Sequence, residues 1–280
     1  MWFSKKVKEN LGAKWAAVGA FLVMVGMNMA AVLLPLNGIS TAAVSDKYAN
    51  LFAPAGVTFS IWSVIYTLLL VYVVVQFSGV RKKLGVVVQE GLYEKITPLF
   101  IATSVINAVW IICWHYDVIW LSVVLMIALL VLLIKIATHI TNYSDKHPLR
   151  LREYAVLRLP FTVYFGWITI ATIANITTWL VSIKWDGFGI KPGAWMVAVL
   201  FVGLGIALAT LFRHRDIAYG AVIVWAYCGI LLKHLSEQGF NGQYPSITVV
   251  LTICLAVLFS VLAMMASQYK LWEGKNGTNR

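Results

Sequence analysis

Ten side chains stand out by type and spacing, and none of them is a carboxylate, an imidazole or a thiol. Phe59, Trp62 and Tyr66 follow one another at steps of three and four, and so do Asn107, Trp110 and Trp114. Tyr164, Trp167, Ala171 and Asn175 continue the pattern in a third segment. Steps of three and four place each set on one face of a helix. Trp and Tyr offer flat apolar area with a polar tip, Ala171 leaves room beside them, and an Asn buried in an apolar segment needs a hydrogen-bond partner. Three such faces turned toward one another form a pocket for a large, flat, mostly apolar ligand. The same residues also suit a second reading, because aromatic side chains collect at membrane boundaries and Asn binds helices together.

Other chemistry is poorly represented. The five histidines, His115, His139, His147, His214 and His234, fall at loops or segment ends, with no HxxxH or HExxH pattern. No metal site is expected from them. His115 follows the aromatic face of its segment, where it could ligate a haem iron, but a solvated loop histidine is the expectation. Cys113, Cys228 and Cys254 form no CxxC pair and read as small packing residues. None of the 11 acidic residues is expected inside an apolar segment except near Glu153, at a segment start, which counts against a proton- or cation-coupled pump. Lys233 lies close enough to a segment end to snorkel. No phosphate loop, nucleophile elbow or catalytic pair is present, so no catalytic residue is assigned.

The elements that must position the three faces are membrane helices. The chain is 61% hydrophobic and 12% charged, whereas soluble domains carry roughly a quarter charged residues. Apolar runs long enough to cross a bilayer, about 20 residues each, are expected over 15–36, 57–78, 96–114, 119–140, 154–183, 194–212, 217–235 and 246–267. They are long and unbroken, which excludes the short alternating strands of a membrane barrel. The first run is longer than the apolar core of a signal peptide, so its retention is expected.

The net charge of +11 does not imply nucleic acid, because of where it sits. Sixteen of the 22 Lys and Arg residues, including Lys14, Arg81, Lys82, Lys83, Arg213 and Arg215, lie on the N-terminal side and on every second loop after it. Three, Lys47, Lys184 and Lys191, lie on the alternate loops. Eight spans with both termini cytoplasmic satisfy the positive-inside rule, and the basic side can also meet anionic lipid headgroups. With that topology Phe59, Trp62, Asn107, Trp110 and Asn175 fall in the outer half of the membrane and Trp167 nearer its middle. The long 37–56 loop would then lie over the opening as a lid.

The same faces carry a resemblance to the TspO/MBR family, the tryptophan-rich sensory or translocator proteins. Pro54-Ala55-Gly56 followed by Phe59, Trp62 and Tyr66 resembles the family's Pro-Pro-Gly turn with Phe and then Trp and Tyr four apart. Asn107 and Trp110 match its Asn-x-x-Trp, and Tyr164, Trp167, Ala171 and Asn175 match its Tyr-x-x-Trp-x-x-x-Ala-x-x-x-Asn. Ala55 replaces the second Pro, one residue is missing between Phe59 and Trp62, and Val163 stands where the family has Pro. The common form has five helices, so the likeness is expected over about 15–183, with no counterpart for the last three spans.

The resemblance implies an all-α integral membrane protein: an eight-helix bundle with a five-helix TspO-like core and three additional helices. Its expected divisions are a core over 1–183, further spans over 184–272 and a polar tail over 273–280. It implies a receptor or sensor that binds a tetrapyrrole, porphyrin or haem, or a sterol-like molecule, through the ten residues named above, with no cofactor required. Its partners would be that hydrophobic small molecule, membrane lipid and, as is common in the family, a second copy of the chain; no nucleic acid is expected. Some members of the family are reported to promote light-dependent porphyrin breakdown. A plasma or bacterial inner membrane is the expected location. The alternative function is a transporter or permease for a small lipophilic or amphipathic solute. There the extra helices would complete a path, and Gly203, Gly205, Gly220 and Gly229 would permit close, sliding helix contacts.

Overall fold

The computed structural model of the chain describes residues 10–34 and 36–277, with side chains through 268. Lys5, Lys6 and Lys8 of the basic N-terminal stretch, and the last three residues of the expected tail, lie outside the described residues. Among the described residues, eleven α-helical segments follow in order: α1 (Leu11–Leu33), α2 (Thr41–Lys47), α3 (Ile61–Val75), α4 (Ser78–Leu84), α5 (Glu90–His115), α6 (Ile119–Ser144), α7 (Leu151–Glu153), α8 (Leu159–Ser182), α9 (Pro192–His214), α10 (Ile217–Leu235) and α11 (Pro245–Gly277). A 3-10 turn over Gly56–Ser60 leads into α3, and a π turn over Tyr154–Arg158 joins α7 to α8. Among the described residues, eight helical stretches are long and apolar enough to cross a membrane. The protein is an all-helical, multi-pass membrane protein. Apolar side chains that a soluble protein would bury, such as Leu22 and Val32 of α1, are 61% and 73% exposed, as lipid-facing positions should be.

Local chemistry explains the boundaries. Asn10 caps α1 by accepting the Ala13 N–H at 3.0 Å. The two tight breaks expected after the third and sixth spans are present, with Asp117 and Arg215 both at positive φ. Pro160 has no N–H to return to the carbonyl four residues earlier, and the helix widens into the π turn just before it. α11 runs to Gly277, into the stretch expected as a polar tail.

α5 differs from expectation. It begins at Glu90, six residues before the apolar run starts. Leu92, Tyr93, Ile96 and Thr97 form a buried face there while Glu94 and Lys95 face outward. A hydropathy reading stops at those two charges, but a helix carries them on its other side. The expectation that acidic residues stay outside the spans, apart from a segment start, is therefore corrected. Glu90 is the first residue of a spanning helix, and Glu94 lies one turn further in.

The chain divides into two compact units, Met1–Val44 with Ile61–Ile168, and Ser45–Ser60 with Thr169–Arg280. In the first, α5 packs along both α1 and α6, and α3 packs on α1. Its core includes Phe100, Leu129, Leu133, Ile136 and Phe161, each at most 1% exposed.

In the second unit, α10 packs on α9 and α11, and α9 on α11. Small residues set how closely these helices approach. A Cβ at Gly203 would stand 2.6 Å from the Tyr227 hydroxyl, and one at Gly220 would stand 2.5 Å from Leu262. Tyr227 is fixed by donating to the Leu200 carbonyl at 2.8 Å. These are locked contacts. Gly205 departs from the expectation, since nothing lies within 4 Å of the place a Cβ would take.

Candidate functional site

Seven of the ten candidate residues belong to the first unit, and the structure brings them together. Trp62 and Tyr66, four apart on α3, stack with centroids 5.4 Å apart and planes 19° from parallel. Trp110 and Trp114, four apart on α5, stack at 5.8 Å and 23°. One helical turn rises about 5.4 Å, so the spacing that put each pair on one face also stacks its rings. Trp62 then meets three further rings: Trp110 at 6.2 Å, and Tyr164 and Trp167 edge-on at 5.9 and 6.2 Å. Edge-to-face and offset contacts of this kind add about 0.5–1.5 kcal/mol each beyond burial.

Asn107 holds this cluster to its neighbours. Its Nδ2 donates to the Tyr164 hydroxyl at 3.0 Å, and its Oδ1 accepts from Asn28 Nδ2 at 2.8 Å. Asn28 also donates to the Met24 carbonyl at 2.9 Å. Three helices are thus tied through one fully buried amide. Asn28 is missing from the sequence-derived set. Its signal was available: a lone amide in the apolar run of α1.

Tyr164, Trp167, Trp110 and Trp114 are buried, while Trp62 and Tyr66 remain partly exposed. The Tyr66 hydroxyl is itself buried and closes no hydrogen bond. The cluster therefore presents a partly exposed indole face and one hydroxyl with bonding capacity to spare. A planar guest stacked between two rings would need about 7 Å between their planes, twice an ordinary carbon–carbon contact. The paired rings stand closer than that, so a guest has to lie on the outer face of Trp62 or turn that ring aside.

The remaining three candidates, Phe59, Ala171 and Asn175, belong to the second unit. Phe59 is partly exposed in the 3-10 turn, Ala171 is partly exposed, and Asn175 is buried on α8.

His115 is not the solvated loop histidine expected from sequence. It is 1% exposed. Its Nδ1 stands 3.1 Å from the Leu36 carbonyl and its Nε2 3.0 Å from Thr41 Oγ1. A carbonyl only accepts, so Nδ1 carries the proton and Nε2 accepts from the threonine. Asn37 donates to the His115 carbonyl, and Trp114 Nε1 donates to the Thr41 carbonyl at 3.1 Å. Both ring nitrogens are used in holding the start of the 37–56 loop, which leaves neither for a haem iron. His234 is likewise buried, with Nε2 2.9 Å from the Leu51 carbonyl.

The rest of that loop is tied down within the second unit. Asn50 bonds to Thr177 and Thr178 of α8, Ala55 N–H donates to the Gly229 carbonyl, and Trp225 Nε1 donates to the Thr58 carbonyl. Asp46 pairs with Lys233 at 2.9 Å. That ion pair accounts for the lysine in α10. Among the described residues, no three of His, Cys, Asp and Glu stand together as metal ligands.

The sequence profile of one protein family, described as TSPO-like protein, matches residues 14–264. The match reaches beyond residue 183, where the sequence resemblance was expected to stop, and takes in the last three spans. The chain matches no curated protein and no solved structure.

Proposed function

We propose, for a chain that belongs to the TSPO-like protein family, that it is a membrane sensor whose ligand is a flat hydrophobic molecule of the tetrapyrrole class. Family membership supports a membrane-bound sensing or binding protein in general. The observation that carries the finer reading is the set of four rings around Trp62, with the bonding-competent Tyr66 hydroxyl beside it. A porphyrin would lay one face on the partly exposed indole, and a ring nitrogen or a propionate would meet the hydroxyl. The metal-free porphyrin suits the site better than haem, because both His115 nitrogens are taken. The basic-side asymmetry of the loops supports both termini in the cytoplasm, in a plasma or bacterial inner membrane.

The test is a titration of detergent-purified protein with protoporphyrin IX, followed by quenching of tryptophan fluorescence, beside a Trp62→Phe, Trp167→Phe variant. Saturable quenching, weakened in the variant, is expected. Linear quenching equal in both proteins would make the cluster a packing device only. Protein-dependent flux of the porphyrin into proteoliposomes would favour the transporter reading over sensing.

A further inference from the structure

Polar side chains in the apolar helices of the first unit mostly turn inward and find partners. Asn28 bonds to Asn107, His115 holds the 36–41 turn, and the buried cations Lys14 and Arg81 both pair with Glu90. α6 does the opposite. Its Lys135 and Asn142 are exposed and its His139 is half-buried. Steps of four and three place them on one side of the helix, in line with Val124 and Val131, which are 53% and 44% exposed. One outward stripe of α6 is thus apolar in its first turns and polar toward Ser144.

Among the described residues, Lys135, His139 and Asn142 have no hydrogen-bond or ion-pair partner in the protein. Hydroxyls on exposed helix faces behave differently. Thr138 bonds back to the Ile134 carbonyl and Thr67 to the Ser63 carbonyl, each at 2.8 Å. Polar groups on a lipid-facing surface need partners, and a charged one needs them most. Three without any on one stripe point to a partner outside the chain.

Depth narrows the choice. α6 has 26 residues, about 39 Å of helix against a hydrocarbon core of about 30 Å. Lys135 lies about 13 Å along the axis from Ser144, so its Cα falls about 9 Å inside the hydrocarbon when the helix is centred. A lysine at that depth snorkels toward the nearer edge. Here that edge lies toward the C-terminus of α6, whereas helical side chains lean toward the N-terminus. The ammonium stays short of the headgroups, and a counter-charge has to come down to it.

Ammonium, imidazole N–H and amide N–H groups all donate, and a phosphodiester only accepts. Free phosphate is kept out by the hydrocarbon, but a phospholipid carries its phosphate on acyl chains that can lie along Val131 and Val124. A zwitterionic lipid brings its own ammonium, so an anionic one fits better. The turn after α6 adds Lys146 and Arg150 against Asp145, which favours the same charge.

We propose that Lys135, His139 and Asn142 form a docking site on α6 for the phosphate headgroup of an anionic phospholipid.

The test is thermal unfolding of the purified full chain in neutral detergent, titrated with phosphatidylglycerol or with phosphatidylcholine. A saturable rise in melting temperature is expected with phosphatidylglycerol and not with phosphatidylcholine. Lys135→Leu should raise the half-saturating phosphatidylglycerol fraction about fivefold or more. His139→Leu with Asn142→Leu keeps the charge, removes two donors and should also weaken the response. Equal responses to the two lipids, or no change in these variants, would refute the site. The same rise with inorganic phosphate alone would give the residues to a free anion and overturn the proposal. So would a parent that elutes with a second polypeptide which Lys135→Leu releases, since that would give the stripe to a partner helix. Should the variants fail to fold, native mass spectrometry of the parent decides. Retention of phosphatidylglycerol at collision energies that strip phosphatidylcholine is expected, and equal loss of both refutes the site.

Discussion

Asn107 donates to the Tyr164 hydroxyl at 3.0 Å from a position with no exposure, while its own carbonyl accepts from Asn28. Neither partner can turn to water inside the bundle. Asn107→Leu leaves the Asn28 amide short of one acceptor and the tyrosine short of a donor. Hydrogen bonds between membrane helices average about 0.6 kcal/mol and reach about 1.7. Two are lost here, so a fall of about 1–3 kcal/mol is expected in unfolding by denaturing detergent. A double-mutant cycle with Tyr164→Phe should show coupling, and strictly additive losses would mean that the bond does not form.

Tyr66→Phe separates stability from binding. The hydroxyl closes no hydrogen bond in the folded chain, so its removal should leave unfolding unchanged or make the protein slightly more stable. If a ligand's polar group uses that hydroxyl, the same variant should bind protoporphyrin IX several-fold more weakly, with the stacked Trp62 intact. A loss of stability with unaltered binding would place the hydroxyl in the packing and outside the site.

The glycines of the second unit give opposed outcomes. A Cβ at Gly229 would stand 2.1 Å from Thr58 Oγ1, and the same segment is pinned by Ala55 N–H to the Gly229 carbonyl and by Trp225 to Thr58. Gly229→Ala must therefore push the 45–60 segment off α10, at a cost of about 1–3 kcal/mol. Gly205→Ala meets open space and should gain up to about 1 kcal/mol in a helix interior. Thermal shifts of opposite sign in otherwise folded variants are the expected result.

The stacked pairs Trp62–Tyr66 and Trp110–Trp114 were legible because helical spacing alone fixes which residues share a side, whereas Phe59 falls in the 3-10 turn before α3. The eight spans were legible because apolar runs of bilayer length have few other uses. Hydropathy failed at α5, where a charged outer face conceals a buried inner one. It also passed over Lys14, Arg81 and Glu90, since long-range ion pairing leaves no periodic trace. His115 was misread for a related reason. It sits at a helix end, where exposure is usual, but its partners Leu36 and Thr41 come from a loop almost 80 residues earlier.

That loop supplies the last prediction. His115 bonds through both ring nitrogens and also accepts from Asn37 through its carbonyl, so one side chain fastens the 36–41 turn onto α5. His115→Ala removes two of these bonds and leaves a cavity beneath the turn, while the Trp114 bond to the Thr41 carbonyl remains. The turn should loosen without global unfolding, giving faster amide exchange and earlier proteolysis at 36–44 with the melting transition nearly in place. His115→Asn restores only one of the two ring bonds, because an amide is too short to span both, and should fall between the parent and His115→Ala. Should exchange at 36–44 stay as slow in His115→Ala as in the parent, the turn would be held by Trp114 and Asn37, and the imidazole would merely fill space.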